Sequence, residues 1–143
     1  MNKTYDDFIK QVDLIDIHLI SVEYKKIENP DPDWYPQIEV NFKPKKATYC
    51  QGEDCFEVEQ EVQFTLSECD SKKEAKSRKL FELKAVFAIT YMSNAVMNDE
   101  MFELFRKRNI PVNIHPYARE LIQNAMLRVG LPPFTLPALK IKK

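Results

Sequence analysis

From Phe56 to Leu66 the chain changes character almost residue by residue. Phe56, Val58, Val62, Phe64 and Leu66 are apolar, and Glu57, Glu59, Glu61, Gln63 and Thr65 between them are polar. A period of two belongs to a β-strand, whose successive side chains point to opposite faces. The segment therefore demands a sheet with one wet face and one apolar face that other elements must cover. A slip of one residue would turn the whole apolar set to water, so the register is strongly specified.

Three more strands follow from the same reading. Ile38, Val40 and Phe42 alternate with Gln37, Glu39, Asn41 and Lys43. Phe81, Leu83, Ala85, Phe87, Ile89 and Tyr91 alternate as well, with Val86 and Ala88 adding apolar character to the opposite face, so this fourth strand is expected to be covered on both sides. The first, Leu14 to Tyr24, is rich in Ile, Leu and Val without a helical stripe, and it ends at the turn cluster Asn29-Pro30-Asp31-Pro32. A charged loop around Asp70 to Arg78 separates the third and fourth strands.

Beyond Asn98 the period becomes helical, with Met97, Met101, Leu104 and Phe105 at spacings of three and four, and this short helix ends near Asn109-Ile110-Pro111. A second helix is predicted from about 116 to 129. Pro116 suits its first turn, Glu120 and Arg128 complement the macrodipole, and Gly130 before Pro132-Pro133 is a ready C-cap. Tyr117, Ala118, Leu121, Ile122, Ala125, Met126 and Val129 cover more than one narrow stripe, which predicts burial against a second surface and hence self-association. Four strands followed by helices is an α+β pattern with an antiparallel sheet, in one domain spanning 1–143 with a flexible start to about residue 12 and a short end at 140–143.

Composition narrows the function. The 143 residues are 44% hydrophobic and 30% charged with a formal net charge of −1, an ordinary globular balance without the basic footprint of a nucleic-acid binder. The polar amino terminus and the absence of any long apolar run predict a cytoplasmic protein without a signal peptide or membrane insertion. Cys50, Cys55 and Cys69 are odd in number and lack CxxC spacing, so reduced thiols are expected and neither a disulfide framework nor a zinc site. Gly52 and Gly130 are the only glycines, which excludes a glycine-rich phosphate loop. His18 and His115 have no marked nucleophile or metal-ligand spacing beside them, and Glu57, Glu59 and Glu61 read as a solvated strand face. No catalytic residue, metal or cofactor is expected, and Met92, Met97, Met101 and Met126 read as core filling.

Two segments resemble the bacterial export chaperone SecB. DWYPQIEVNF at 33–42 resembles the family's Asp-Trp-x-Pro followed by an alternating strand, and HPYARELIQNAMLRVGLPPFTLPAL at 115–139 resembles its Pro-Tyr-Ala-Arg-Glu helix and Pro-rich sequel. FEV at 56–58 and VFAI at 86–89 fall in the same order, so the resemblance runs over about 14–139.

The resemblance implies first strands paired between subunits and long helices sandwiched between two such dimers in a homotetramer. It implies apolar grooves for unfolded clients, lined by residues matching Trp34, Ile38, Val40 and Phe42 and by the loop with Leu131, Phe134, Leu136 and Leu139. That arrangement is consistent with the broad apolar coverage of the second helix, whose Tyr117, Leu121, Ile122, Ala125, Met126 and Val129 are the expected subunit interface. The family's contact with the export motor SecA maps onto Glu23, Leu80 and Glu82, although the family's first-strand aspartate aligns with Leu19 and the tail that touches SecA in longer members has no counterpart. The implied function is an ATP-independent holdase that keeps presecretory proteins translocation-competent. The alternatives are a SecB-like chaperone serving an antitoxin apart from SecA, and a structural oligomer or adaptor without clients.

Overall fold

The structure is a computed structural model that describes residues 3–29, 38–69 and 77–132. Its elements in chain order are α1 (Lys3–Ile9), β1 (Val12–Lys26), β2 (Ile38–Gln51), β3 (Cys55–Cys69), β4 (Ser77–Ser93), α2 (Asp99–Arg108) and α3 (Ile110–Arg128). The strands form one antiparallel sheet in the order β1-β4-β3-β2, with the helices against one face. This is the α+β pattern read from the sequence.

The alternation in β3 holds: Phe56, Val58, Val62, Phe64 and Leu66 have no exposed surface, and each such side chain contributes about 1.5–3 kcal/mol by leaving water. In β4, Phe81, Leu83, Ala85, Phe87, Ile89 and Tyr91 lie beside them on the covered face. Gln60 breaks the apolar series because it serves a bulge. Pro44 pairs with Val62 but Ala47 pairs with Gln60, so β2 carries one extra residue at Lys45–Lys46. The Gln60 Nε2 lies 3.3 Å and 3.4 Å from the Lys45 and Lys46 carbonyl oxygens and 2.8 Å from that of Glu61. An amide is what a buried position needs where the ladder leaves carbonyls without donors.

Helix α2 starts at Asn98, whose Oδ1 accepts the Met101 amide at 2.8 Å. Asp99 and Glu100 in its first turn and Arg106, Lys107 and Arg108 in its last match the helix dipole. Helix α3 begins at Ile110, six residues earlier than the sequence reading placed it. Pro111 supplies the first-turn proline, and Pro116 lies inside the helix. The carbonyl that Pro116 leaves without its usual donor is that of Val112, on the exposed side. At the far end Gly130 has φ +78, its N–H donates to the Leu127 carbonyl, and the Leu131 N–H donates to that of Met126. This is a full Schellman cap, closed by the buried pair Leu131 and Met126.

Residues 3–9, assigned to a flexible start in the sequence reading, form α1. Seven residues do not hold a helix in water without packing. Tyr5 and Phe8 provide the packing: both are buried, Phe8 against Phe56 and Phe105, and Tyr5 with its hydroxyl donating to Asn109 Oδ1. Burial, opposed by the nearby Arg108 charge, pushes the Tyr5 phenol up to about 12.

The sequence reading gave α3 a subunit interface, and the fold corrects half of it. Ile110, Ile114, Ala118, Ile122, Ala125 and Met126 form the stripe that faces the protomer's own sheet. Ile122, Ala125 and Met126 are therefore core residues, buried within this chain itself. Tyr117 is exposed, and Leu121 and Val129 are half-buried at the margins.

Two expected outcomes follow. Gln60→Leu should lower unfolding stability by about 1–3 kcal/mol through the carbonyls it leaves unpaired, read as a shifted urea midpoint at constant slope, and an unshifted midpoint would contradict the role given to the amide. Ala125→Arg should unfold the protomer itself, seen as loss of cooperative melting by circular dichroism. A folded protomer that had merely lost its partners would instead restore Ala125 to the subunit interface.

Candidate apolar client surface

The sheet's register places every described strand residue on one of two faces, because residues directly opposite on neighbouring strands share a face. On β1, Leu14 pairs with Tyr91, Ile17 with Ile89, Leu19 with Phe87 and Val22 with Ala85, so all four sit on the face that the helices cover elsewhere. Cover thins at β1, where Val12, Ile17 and Tyr24 are half-buried against the core and the residues between them are open. Leu14 is 41% exposed, Leu19 38% and Val22 37%, while their partners on β4 are buried. Between these pairs β1 carries two bulges, at Ile15 and Ile20, where two β1 residues oppose one β4 step. Their side chains are exposed by 55% and 51%.

The result is an edge strand with five exposed aliphatic side chains and no proline. The other edge, β2, carries Pro44, Lys43, Lys45, Lys46 and a bulge, devices that blunt an edge against further pairing. Sequence reasoning did not place Leu14, Ile15, Leu19, Ile20 or Val22 in the site. Their signal was present in the run's missing alternation, since two bulges reset the period and show aliphatic residues on both sides.

Of the expected client-binding residues, Trp34, Phe134, Leu136 and Leu139 lie outside the described residues, and only the backbone of Ile38 is described. Val40 is exposed on the helix side of β2 opposite Leu66. Phe42, half-buried opposite Phe64, meets the His115 ring edge-on with centroids 6.3 Å apart. Leu131 is buried behind the Gly130 cap, and a side chain at Gly130 would come within 3.9 Å of the Lys26 Nζ. The structure thus brings Val40 and Phe42 together near the start of α3 and sets Leu131 at its other end, toward β1. His115 and Leu131 are sixteen residues apart on the chain, about 24 Å at a helical rise. These three residues do not line one short groove.

The residues matched to a SecA contact divide as well. Glu23 is exposed on the uncovered face opposite Lys84. Leu80 is fully buried, contrary to the expectation that it offers surface. The cause is a bulge: Leu66 pairs with Phe81 but Ser67 with Lys79, so Leu80 is an extra residue and turns inward beside Phe81. Glu82 contacts Lys25 at 3.4 Å and Lys79 at 3.5 Å. Desolvation pushes its carboxyl up, but hydrogen bonds and attraction from Lys25 and Lys79 outweigh that and hold it below the usual value. Glu82 is thus a compensated charge.

Acidic density lies farther along the uncovered face, where Asp16, Thr90 and Glu57 form one row and His18, Ala88 and Glu59 the next. The His18 Nδ1 is 2.6 Å from Asp16 Oδ2 on the exposed edge. Ala88 is buried and Val86 half-buried, yet the residues around them are polar, so the second cover expected over β4 is absent among the described residues. Cys50 and Cys55 are free thiols. Among the described residues no group of His, Cys, Asp and Glu is placed to hold a metal, and no helix is long and apolar enough to cross a membrane.

One solved structure shares this architecture. A SecB-like chaperone of Mycobacterium tuberculosis, solved in complex with a peptide from the HigA1 antitoxin, superposes with a TM-score of 0.78 at 16% identity, covering 99% of this chain and 100% of that one. A Streptococcus agalactiae protein of unknown function aligns with a TM-score of 0.47 at 13% identity, over 90% of this chain and 98% of that one. No curated protein matches the sequence. The family described as preprotein translocase subunit SecB matches residues 9–142, and with nearly the whole chain inside that match the protein belongs to the SecB family of chaperones.

Proposed function

We propose that the protein is an ATP-independent holdase that binds unfolded, presecretory proteins on apolar surface and keeps them translocation-competent. The observation that carries this reading is the set of exposed aliphatic side chains on β1, joined by Val40 on β2, in a chain of the SecB family. Each client Leu, Val or Phe buried there contributes about 1.5–3 kcal/mol without directional demands, so selectivity falls on unfolded chains and several side chains must engage at once. Neither nucleotide nor metal is required by that chemistry.

The same strand favours assembly. A long edge with Leu14, Ile15, Leu19, Ile20 and Val22 in water invites pairing with another strand, and a second copy offers the identical edge. A homotetramer built as a dimer of dimers then uses the main-chain edge of β1 for one interface, which leaves the side chains on its faces to clients, and the outward side of α3, with Val112, Tyr117 and Leu127, for the other. The setting is the cytoplasm, with SecA as receiver. Glu23 and the acidic rows at Asp16 and Glu57 offer SecA a surface on the uncovered face.

A second reading has the same holding chemistry serve an antitoxin. Its support is the similarity in fold to a SecB-like chaperone solved with an antitoxin peptide.

Suppression of aggregation of a chemically unfolded protein, measured by light scattering without ATP, should be stoichiometric with added chaperone. Absence of suppression would leave a structural oligomer. Val40→Ser should weaken capture of a permanently unfolded client by about 1–3 kcal/mol with little change in melting temperature, and unchanged capture would remove β2 from the surface. For assembly, Leu19→Lys combined with Ile20→Lys should at least halve the particle mass while the protomer stays folded. An unchanged mass would place the subunit contacts elsewhere.

A further inference from the structure

We infer that α1 is a displaceable plug over an aromatic client-binding site made by Phe56 and Phe105, and that a client segment with two large apolar side chains three or four residues apart takes its place. The inference rests on the client holding proposed above and specifies where one client segment lands.

The site is already occupied in a way that defines its ligand. Phe56, Tyr91 and Phe105 form a tight aromatic cluster, with centroids 5.1 Å, 4.8 Å and 5.5 Å apart in the three pairs. Phe8 lies against it at 6.3 Å from Phe56 and 6.4 Å from Phe105, the second contact edge-on. Tyr5, three residues earlier on the same side of α1, fills the rim, with the Arg108 guanidinium 5.2 Å from its ring centroid and Asn109 accepting its hydroxyl. Asp6 and Asp7 between them point to water. A polar segment held by an aromatic pair is what an unfolded client also presents, and Arg108 over the Tyr5 ring favours an aromatic side chain there.

Three features make the plug removable. Seven residues form no stable helix alone, so once Tyr5 and Phe8 leave, α1 loses its order and does not compete as a preformed body. Release breaks no sheet pairing, because β1 begins at Val12, after the turn at Lys10–Gln11. A short segment held by few side chains opens locally far more often than the core unfolds. The uncovered site also leads somewhere: Leu14, opposite Tyr91 on the same face and exposed, joins it to the apolar strip of β1.

A plug lowers apparent client affinity by the fraction of molecules in which it is open. Full-length protein with Tyr5→Ser and Phe8→Ser should therefore bind a fluorescent, permanently unfolded polypeptide more tightly than wild type, by about tenfold if the plug is open in a tenth of molecules. A synthetic peptide of residues 3–11 should erase that gain when added in trans, and the same peptide with both aromatic residues replaced by Ser should not. In wild type, amide hydrogen exchange of residues 5–9 should speed up when client is bound, which tests the idea even where the double variant folds poorly. Equal affinity of wild type and a folded double variant, or α1 amides unaffected by bound client, would overturn the plug and leave client holding intact. If neither protein binds unfolded polypeptide, client holding fails and the plug with it.

Discussion

A four-stranded sheet has two faces and two edges, and the described residues supply helix for one face. The alternation in β3 and β4 requires that face to be covered, and α2 with α3 meets the requirement over β2, β3 and β4. What remains open is set by the same requirement. The second face is polar and stands in water, the β2 edge is defended by proline and lysine, and the β1 edge is left apolar. Exposed aliphatic surface of this kind costs solubility unless something covers it in use. The core and the Leu14, Leu19 and Val22 part of the binding surface are thus two parts of one apolar face, divided by where the helices stop.

Much of this was legible because it depends on local periodicity. A period of two in Phe56–Leu66, broken only at Gln60, and in Phe81–Tyr91 marked both strands and their buried faces, and Gly130 followed by prolines marked the end of α3 through the need for positive φ. The failures in the strands share one cause, which is the bulge. An extra residue at Leu80 turned an apparent surface position inward. Extra residues at Ile15 and Ile20 hid the first strand's alternation, and the one at Lys45–Lys46 let β2 run on to Gln51 past Pro44. Bulges carry no strong composition signal, so register beyond one is read from pairing and not from the chain.

The helices show the opposite limit. Pro116 read as a helix start because proline is favoured in a first turn, but Pro111 already served that purpose, and an exposed proline inside α3 was tolerated. The broad apolar set on α3 read as two interfaces. One stripe, Ile110 to Met126, belongs to the protomer's core, and the outward set is sparser and mixed with Glu120 and Asn124. Breadth of apolar residues on a helix counts surfaces only when the number of sheets it must cover is known. Helix α1 escaped notice because Tyr5 and Phe8 are too few to form a periodic pattern, and its order comes from the aromatic pocket it meets.

The position of the α3 cap ties stability to binding. Gly130 stops the helix beside Lys26, the last residue of β1, and Leu131 folds back to seal the end against Met126. Had the helix ended over the middle of β1, Leu19 and Val22 would have been covered like Phe87 and Ala85 opposite them, and the protomer would have gained stability while losing its open strip. The exposed side chains are therefore not a defect of packing that a longer helix would repair without consequence. Their register partners are core residues, so any client or second subunit that covers β1 extends the same layer of buried side chains by one strand, and binding there draws on the same free energy that folds the sheet.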